Sequence, residues 1–423
     1  MAAGMSQTRK RRMPVGLRGR LLGTMAVVAA WNAGFAGAAP SVAAADVQSK
    51  QWYLSAMRAE EMWKVTTGEG IKVAVIDTGV NPSTPSLKGQ VLKGLDATGA
   101  DGDEYDDYNG HGTTMAELIA GTGKGGGLKG LAPGAKIIPM RITNTDLQNK
   151  KSVNAHDTAD AIRAAADSDA QIISMSFASD FPGREERVAV EYAESKGKLF
   201  FAGVGNNAEK GNKEQFPASY PQVVGVAATD RTGKASAYSQ HGSSVDIAAP
   251  ADGIPYWCDG KFRGYCDGNG GTSAATAITS ASAALIWSAH PDWTANQVLN
   301  VLFDTAGRGD WEKGTLSNYL GHGIIRPAVN ILKGKGDPGP PDISPLTKEK
   351  TSGSTASPAA SPAASAPGSA RPGEKEKADD PVAAGVGDEK SGGGSLGLLL
   401  GGAAAVAVAG GGAFVLARRR RTS

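Results

Sequence analysis

Three short segments carry the residue types that nucleophilic acyl transfer needs. Val73-Ala-Val-Ile-Asp77-Thr-Gly-Val80 ends an apolar run on an aspartate. Gly110-His111-Gly-Thr-Thr-Met-Ala116 opens a helical pattern on a histidine. Gly270-Gly-Thr-Ser273-Ala-Ala-Thr276 opens another on a serine. A serine hydroxyl attacks a carbonyl only if a base takes its proton. Histidine suits that task because its pKa lies near neutral pH. A carboxylate then fixes the imidazole tautomer and stabilises the imidazolium. On these grounds Ser273 is assigned as nucleophile, His111 as general base and then acid, and Asp77 as orienter. Each segment alone is weak: Asp-Thr-Gly after a strand is usually a turn. Gly-His-Gly recurs at Gly321-His322-Gly323 without the following Thr and helix, so His322 is read as structural. His156, His241 and His290 lie in polar stretches with no nucleophile or ligand spacing nearby.

Elements able to hold such a site follow from the hydrophobic pattern. Strands are predicted at 72–76, 135–141, 171–176, 199–204 and 223–228, with helices at 157–166 and 187–196 between them. Their alternation predicts an α/β fold, a parallel sheet with helices on both faces. Asp77 then lies at the carboxyl end of a strand, where open α/β sheets form their sites. Residues 46–334 are read as one catalytic domain.

The order Asp, His, Ser with these local sequences resembles the subtilisin family of serine proteases, over essentially Gln51 to Leu332. The resemblance implies a subtilisin-like fold, peptide-bond hydrolysis through an acyl-enzyme and no cofactor or catalytic metal. Lys198-Leu-Phe-Phe-Ala-Gly-Val-Gly-Asn206-Asn-Ala208 resembles the family's Ala-Gly-Asn segment. That implies Asn206, directly after Gly205, as oxyanion donor in preference to Asn207, with the Ser273 N–H as second donor. Ile172-Ile-Ser-Met-Ser-Phe-Ala-Ser179 resembles the strand that pairs with extended substrate, which implies Ser176, Phe177 and Ala178 as substrate-binding residues. Three positions depart from the pattern. Ala274 and Ala277 replace the usual Met or Phe and Pro, and Ala277 favours continued helix. Ala178 replaces a common Gly, and its methyl group is expected to narrow the specificity pocket.

The chain ends suggest where the domain works. Six basic residues and no acids occupy the first twenty positions, followed by an apolar stretch and Ser41-Val-Ala-Ala-Ala45. This is the order of a secretory signal peptide, residues 1–45. Residues 335–395, rich in Pro, Ala, Ser and Gly, read as a disordered tether. Leu396 to Ala417 is uncharged and long enough for a single transmembrane helix. Arg418 to Arg421 begin a basic tail, 418–423, that places the C-terminus in the cytoplasm. The catalytic domain is then extracytoplasmic at the cell membrane. No Leu-Pro-x-Thr-Gly precedes the apolar tail, which argues against a cell-wall sorting signal. Of 44 basic and 42 acidic residues, ten basic ones lie in the signal segment and the arginine run, leaving a net charge of −8 elsewhere. No basic patch supports a nucleic-acid partner.

Cys258 and Cys266 are the two cysteines, flanking a segment that reads as a hairpin or tight loop. In an exported protein such a pair favours a disulfide, expected to stiffen the approach to Ser273. The acidic run Asp101-Gly-Asp-Glu-Tyr-Asp-Asp107 reads as a solvated loop, with calcium binding as the alternative. Residues 46–70 are too short for the family's folding pro-domain, and Leu54 to Lys64 read as a helix that packs on the catalytic domain. This whole plan resembles the mycosins, membrane-anchored proteases associated with type VII secretion. The resemblance implies exported protein substrates and a place in the secretion membrane complex. The alternative is a mainly structural component of that complex, and a free degradative protease is opposed by the anchor.

Overall fold

The computed structural model describes residues 44–144, 147 and 157–351. In chain order the main elements are helices α1 (Ala44–Ser49), α2 (Trp52–Ala56) and α3 (Ala59–Met62), then strands β1 (Lys72–Asp77) and β2 (Leu95–Asp96). Helix α4 (His111–Ala120), β3 (Lys136–Arg141), α5 (Asp157–Asp167), β4 (Ile172–Met175), α6 (Arg184–Ser195) and β5 (Leu199–Gly203) follow. The chain continues through β6 (Val224–Thr229), β7 (Ile247–Pro250), β8 (Tyr256–Trp257), β9 (Tyr265–Cys266), α7 (Gly271–Ala289), α8 (Ala295–Thr305) and α9 (Pro327–Ile331).

Seven strands form one parallel sheet in the order β2-β3-β1-β4-β5-β6-β7. The continuous apolar runs seen in the sequence reflect burial on both faces. Val73 and Val75 of β1 point into one core layer with Met115 and Leu118 of α4 and Ile278 of α7. Ala74 and Ile76 point into the other, with Ile162 of α5 and Val190 of α6. Each such Val or Ile contributes about 1.5–3 kcal/mol on burial. The order reverses around β1, since β3 lies on one side of it and β4 on the other. The carboxyl ends of β1 and β4 therefore open onto a crevice, the usual ligand position of such sheets.

Helix α7 is buried from Thr272 to Trp287. Its Ala-Ser-Thr composition lets neighbours approach closely. Thr276, Thr279 and Ser282 satisfy their hydroxyls by donating to carbonyls four residues back, each at 2.8 Å. The helix runs through Ala277 without a break.

Two regions differ from the sequence reading. The helix expected over Leu54 to Lys64 is two short helices, α2 and α3, because Arg58 adopts a left-handed conformation at φ 60°. The segment packs on the catalytic domain as read, with Trp52 Nε1 donating to Asp252 O and Trp63 Nε1 to Leu131 O, both at 2.8 Å. The second difference lies where the tether was expected to begin at Lys335. Residues 335–351 instead form a strap along α8. Pro341 O accepts from Thr294 Oγ1 and Asn296 Nδ2, and Pro338 O from Asn300 Nδ2. Ser344 is buried and Leu346 packs on the core. Composition concealed this because the strap is held by side chains of α8 and contributes few apolar groups of its own. The anchor 396–417, the basic tail and the rest of the tether lie outside the described residues, and no helix among those described is long and apolar enough to cross a membrane.

The strap gives a stability prediction. A chain ending after Thr351 should melt a few °C above one ending after Gly334, since each hydrogen bond lost costs about 0.5–1.5 kcal/mol. Calorimetry on the two truncations checks this, and equal melting temperatures would show that the strap adds nothing to the fold.

Candidate active site

Asp77 is the last residue of β1 and is 3% exposed. His111 is the first residue of α4, and its Nδ1 lies 2.7 Å and 2.9 Å from the two Asp77 carboxylate oxygens. The Thr78 N–H donates to Asp77 Oδ1 at 2.7 Å. Such a carboxylate selects the tautomer protonated at Nδ1 and leaves Nε2 as the base. Burial lowers the His111 pKa, but the Asp77 charge and hydrogen bond, with the Asp107 charge, outweigh it and leave the pKa raised above 6.5.

The helix must come very close to the strand end for this contact. A Cβ at Gly112 would sit 2.2 Å from Gly79 O and 3.0 Å from Asp77 Cβ. The glycine after the histidine is thus a packing requirement of the Asp77–His111 contact.

Ser273 is the third residue of α7 and is 9% exposed. Helix α7 packs against both α4 and the end of β5. Among the described residues Ser273 Oγ makes no hydrogen bond to His111 Nε2, and such bonds are often long before substrate tightens them.

Asn206 follows β5 after Gly205, which has φ +106° and no space for a Cβ beside Gln240. The Asn206 Oδ1 accepts the Thr272 N–H at 2.8 Å, one residue before the serine. Its oxygen is occupied, so its Nδ2 remains the free donor end. The Asn207 backbone N–H donates to Gln240 Oε1 at 3.4 Å.

Ser176, Phe177 and Ala178 follow β4 and line a cleft of about 920 Å³ together with Asp77 and His111. Phe177 and Ala178 make no backbone hydrogen bond among the described residues, and pairing resumes at Ser179, which exchanges both bonds with Phe216 at 2.9 Å. Unpaired backbone at a sheet end is the feature an extended peptide can join.

A disulfide joins Cys258 to Cys266 and closes an antiparallel hairpin of β8 and β9. The hairpin braces the histidine helix as well as the approach to Ser273, where the Tyr256 ring lies so close to Gly268 that a Cβ there would sit 2.9 Å from it. Trp257 N donates to Thr114 Oγ1 at 3.0 Å and Tyr265 Oη to Glu117 Oε2 at 2.7 Å. Burial pushes Glu117 up to about 7. Sequence proximity pointed to Ser273, and tertiary contact adds α4.

Two residues near the site escaped the sequence reading. Asp107 was taken as part of a solvated loop, yet it is 5% exposed. Its Oδ1 accepts from Thr78 Oγ1 and the Asn109 and Gly110 N–H groups, and its Oδ2 from Thr113 N and Oγ1, over 2.7–3.0 Å. The usable signal was its place three residues ahead of Gly110, within reach of the first helical N–H groups. Arg141, 3% exposed, enters the same acidic loop from β3 and donates to Asp103 O and Asp101 O at 3.2 Å and 3.1 Å. The acidic run is exposed at Asp101, Asp103 and Asp106, as read, but is tied down through Asp107 and through Arg141 on its backbone. No group of three or more His, Cys, Asp or Glu side chains that could hold a metal occurs among the described residues.

The other histidines lie apart from these groups. His322 stacks on Phe303, and burial lowers its pKa to about 4. His241 stacks on Tyr319 and His290 on Trp293. His156 lies outside the described residues.

Residues 68–323 match the family model described as "Subtilase family". The chain is 38% identical over 226 residues to a thermophilic serine proteinase of Bacillus sp. (strain AK1), covering 53% of this chain and about half, 54%, of that protein. It is 33% identical over 277 residues to thermitase of Thermoactinomyces vulgaris, covering 64% of this chain and 95% of that one. Among solved structures, the serine protease MycP1, described as an essential component of the type VII (ESX-1) secretion system, aligns with a TM-score of 0.56 at 31% identity, over 69% of this chain and 90% of that one. The matched family span contains Asp77, His111, Asn206 and Ser273, and the chain belongs to the subtilase family of serine proteases.

Proposed function

We propose that this chain is an active serine endopeptidase in which His111 deprotonates Ser273, Asp77 orients the imidazole, and Asn206 Nδ2 and the Ser273 N–H receive the oxyanion. The observation that carries the reading is the Asp77–His111 contact at 2.7 Å beside a cleft with free backbone at Phe177 and Ala178. An extended peptide pairs there, the serine attacks, and the imidazolium then protonates the leaving amine. Ser176, Phe177 and Ala178 shape the adjoining pocket.

The finer reading is a mycosin-like enzyme acting on proteins exported by type VII secretion. It is supported by the similarity to MycP1 and by the sequence order of basic apolar leader, catalytic domain, Pro-rich segment and apolar C-terminal stretch. In this reading residues 396–417 hold the domain at the outer face of the cell membrane. A fluorophosphonate probe on the full chain separates this from a purely structural role, because only a competent triad labels Ser273.

Ser273→Ala should abolish peptide cleavage and probe labelling while the melting temperature stays within a few °C, and parent-rate cleavage by the folded variant would overturn the assignment. Asn206→Ala should lower kcat roughly 10²–10³-fold, a barrier increase of about 2.7–4 kcal/mol with KM little changed, a magnitude taken from the matching Asn of a subtilisin. An equal loss from Asn207→Ala would relocate the donor.

A pH profile tests His111. The base must be neutral, so kcat/KM should fall as pH drops through a pKa above 6.5. Asp77→Asn removes the charge that favours the imidazolium, so its residual activity, roughly 10⁴-fold lower, should keep falling only at lower pH than in the parent.

A further inference from the structure

We propose that Asp107 is a positioning residue for the acyl-transfer reaction, whose buried carboxylate clamps the strand end that carries Asp77 to the helix that carries His111. The inference rests on the roles given above to Asp77 and His111.

The Asp107 carboxylate bonds to both elements. Through Oδ1 it takes Thr78 Oγ1 at 2.8 Å, and Thr78 is the residue whose own N–H fixes Asp77 Oδ1. Thr78 Oγ1 in turn accepts the Gly112 N–H at 3.0 Å, directly after His111. Through both oxygens Asp107 also takes the Gly110 and Thr113 N–H groups, either side of the histidine, and the Thr113 hydroxyl. Thr113 Oγ1 closes the circuit by accepting the Asn81 N–H, beyond the Asp-Thr-Gly turn, at 2.9 Å. Two elements far apart in sequence are thus joined through one anion on either side of the catalytic contact.

Charge supports the same role. A helix N-terminus carries partial positive charge and unpaired N–H groups, so a carboxylate is favoured there. The first turn of α4 contains no acid, and its N-cap, Gly110, has no side chain. Asp107 supplies from the preceding loop what the helix lacks. Its charge also favours the protonated imidazole, alongside Asp77. The other charged or titratable groups near this junction are Tyr108, whose phenol is raised by burial and by both carboxylates, and Arg141 on the acidic-loop side. The hairpin that covers the loop presents backbone, with Asp259 O against Gly110 and Gly260 against Asp107 O.

Asp107→Asn in the full chain is the test. The amide removes the charge and turns an N–H₂ group toward a donor that the carboxylate accepted. We expect kcat to fall about 10–100-fold with KM nearly unchanged, since small misplacement of reacting groups costs on this scale. The acidic limb of kcat/KM should also move to lower pH. Thr113→Val loses both hydroxyl contacts, to Asp107 Oδ2 and from the Asn81 N–H, and keeps the charge, so it should lower the melting temperature and leave the limb in place. If Asp107→Asn does not fold, Thr78→Val and Thr78→Ser decide: the valine breaks the bridge and should lose kcat, and the serine should restore it. The proposal is overturned if Asp107→Asn keeps the parent kcat and limb, if Thr113→Val moves the limb as far, or if Thr78→Ser is as slow as Thr78→Val. These outcomes are separable from the functional reading, which fails if the parent chain does not label with the probe or if the Ser273→Ala variant cleaves.

Discussion

Asp77 is a carboxylate held almost wholly out of water, and much of the neighbouring structure exists to make that tolerable. An ion in such a place needs donors on its oxygens. It receives the Thr78 N–H and the His111 ring N–H. Both donors must be brought within 3 Å, so β1 must end on Asp77 and α4 must begin on His111 directly above it. Gly112 permits that approach, and Thr78 and Asp107 hold it. The catalytic contact and the packing of strand on helix are thus one arrangement seen at two scales.

The sheet provides the rigid base for this. Buried on both faces, it leaves the chain little freedom except at strand ends, where side chains leave the core layers and backbone pairing stops. Asp77, Ser176 to Ala178 and Asn206 all lie at such ends, of β1, β4 and β5. Helix α7 brings Ser273 to the same edge from one face of the sheet. Its small, hydroxyl-rich surface lets β5 approach until the Thr272 hydroxyl lies 3.3 Å from the Gly205 N–H. Asn206 is fixed by the same approach, through the Thr272 N–H.

Around this centre the molecule is braced from its periphery. The hairpin closed by Cys258 and Cys266 bears on α4 through Trp257 and Tyr265, at positions one and two turns beyond His111. The N-terminal segment anchors by Gln48, whose amide donates to Gly123 O and Gly127 O, and by the two tryptophans. The strap 335–351 closes over α8 at the opposite end of the chain. None of these touches the reacting atoms. Each limits motion of an element that carries or supports one.

The sequence by itself determined the reaction type, the parallel α/β architecture and the strands β1, β3, β4, β5 and β6, whose observed ends fall within about two residues of those read. These were legible because they depend on local causes: apolar runs bounded by turns, a helix-opening Gly-His-Gly-Thr, a serine after Gly-Gly-Thr. The choice of Asn206 needed a family resemblance, since Asn206 and Asn207 are alike in composition. Only the tertiary structure decided the rest. Asp107 looked like one more charge in an acidic loop because burial depends on what packs above it, here residues 259–260. The hairpin's contact with α4 could not be read because that helix lies over a hundred residues away in sequence. The strap passed as tether because its hold on α8 comes from Thr294, Asn296 and Asn300, whose role appears only once that helix is in place. In each case the deciding energy is a contact between segments distant in the chain, and no local pattern encodes it.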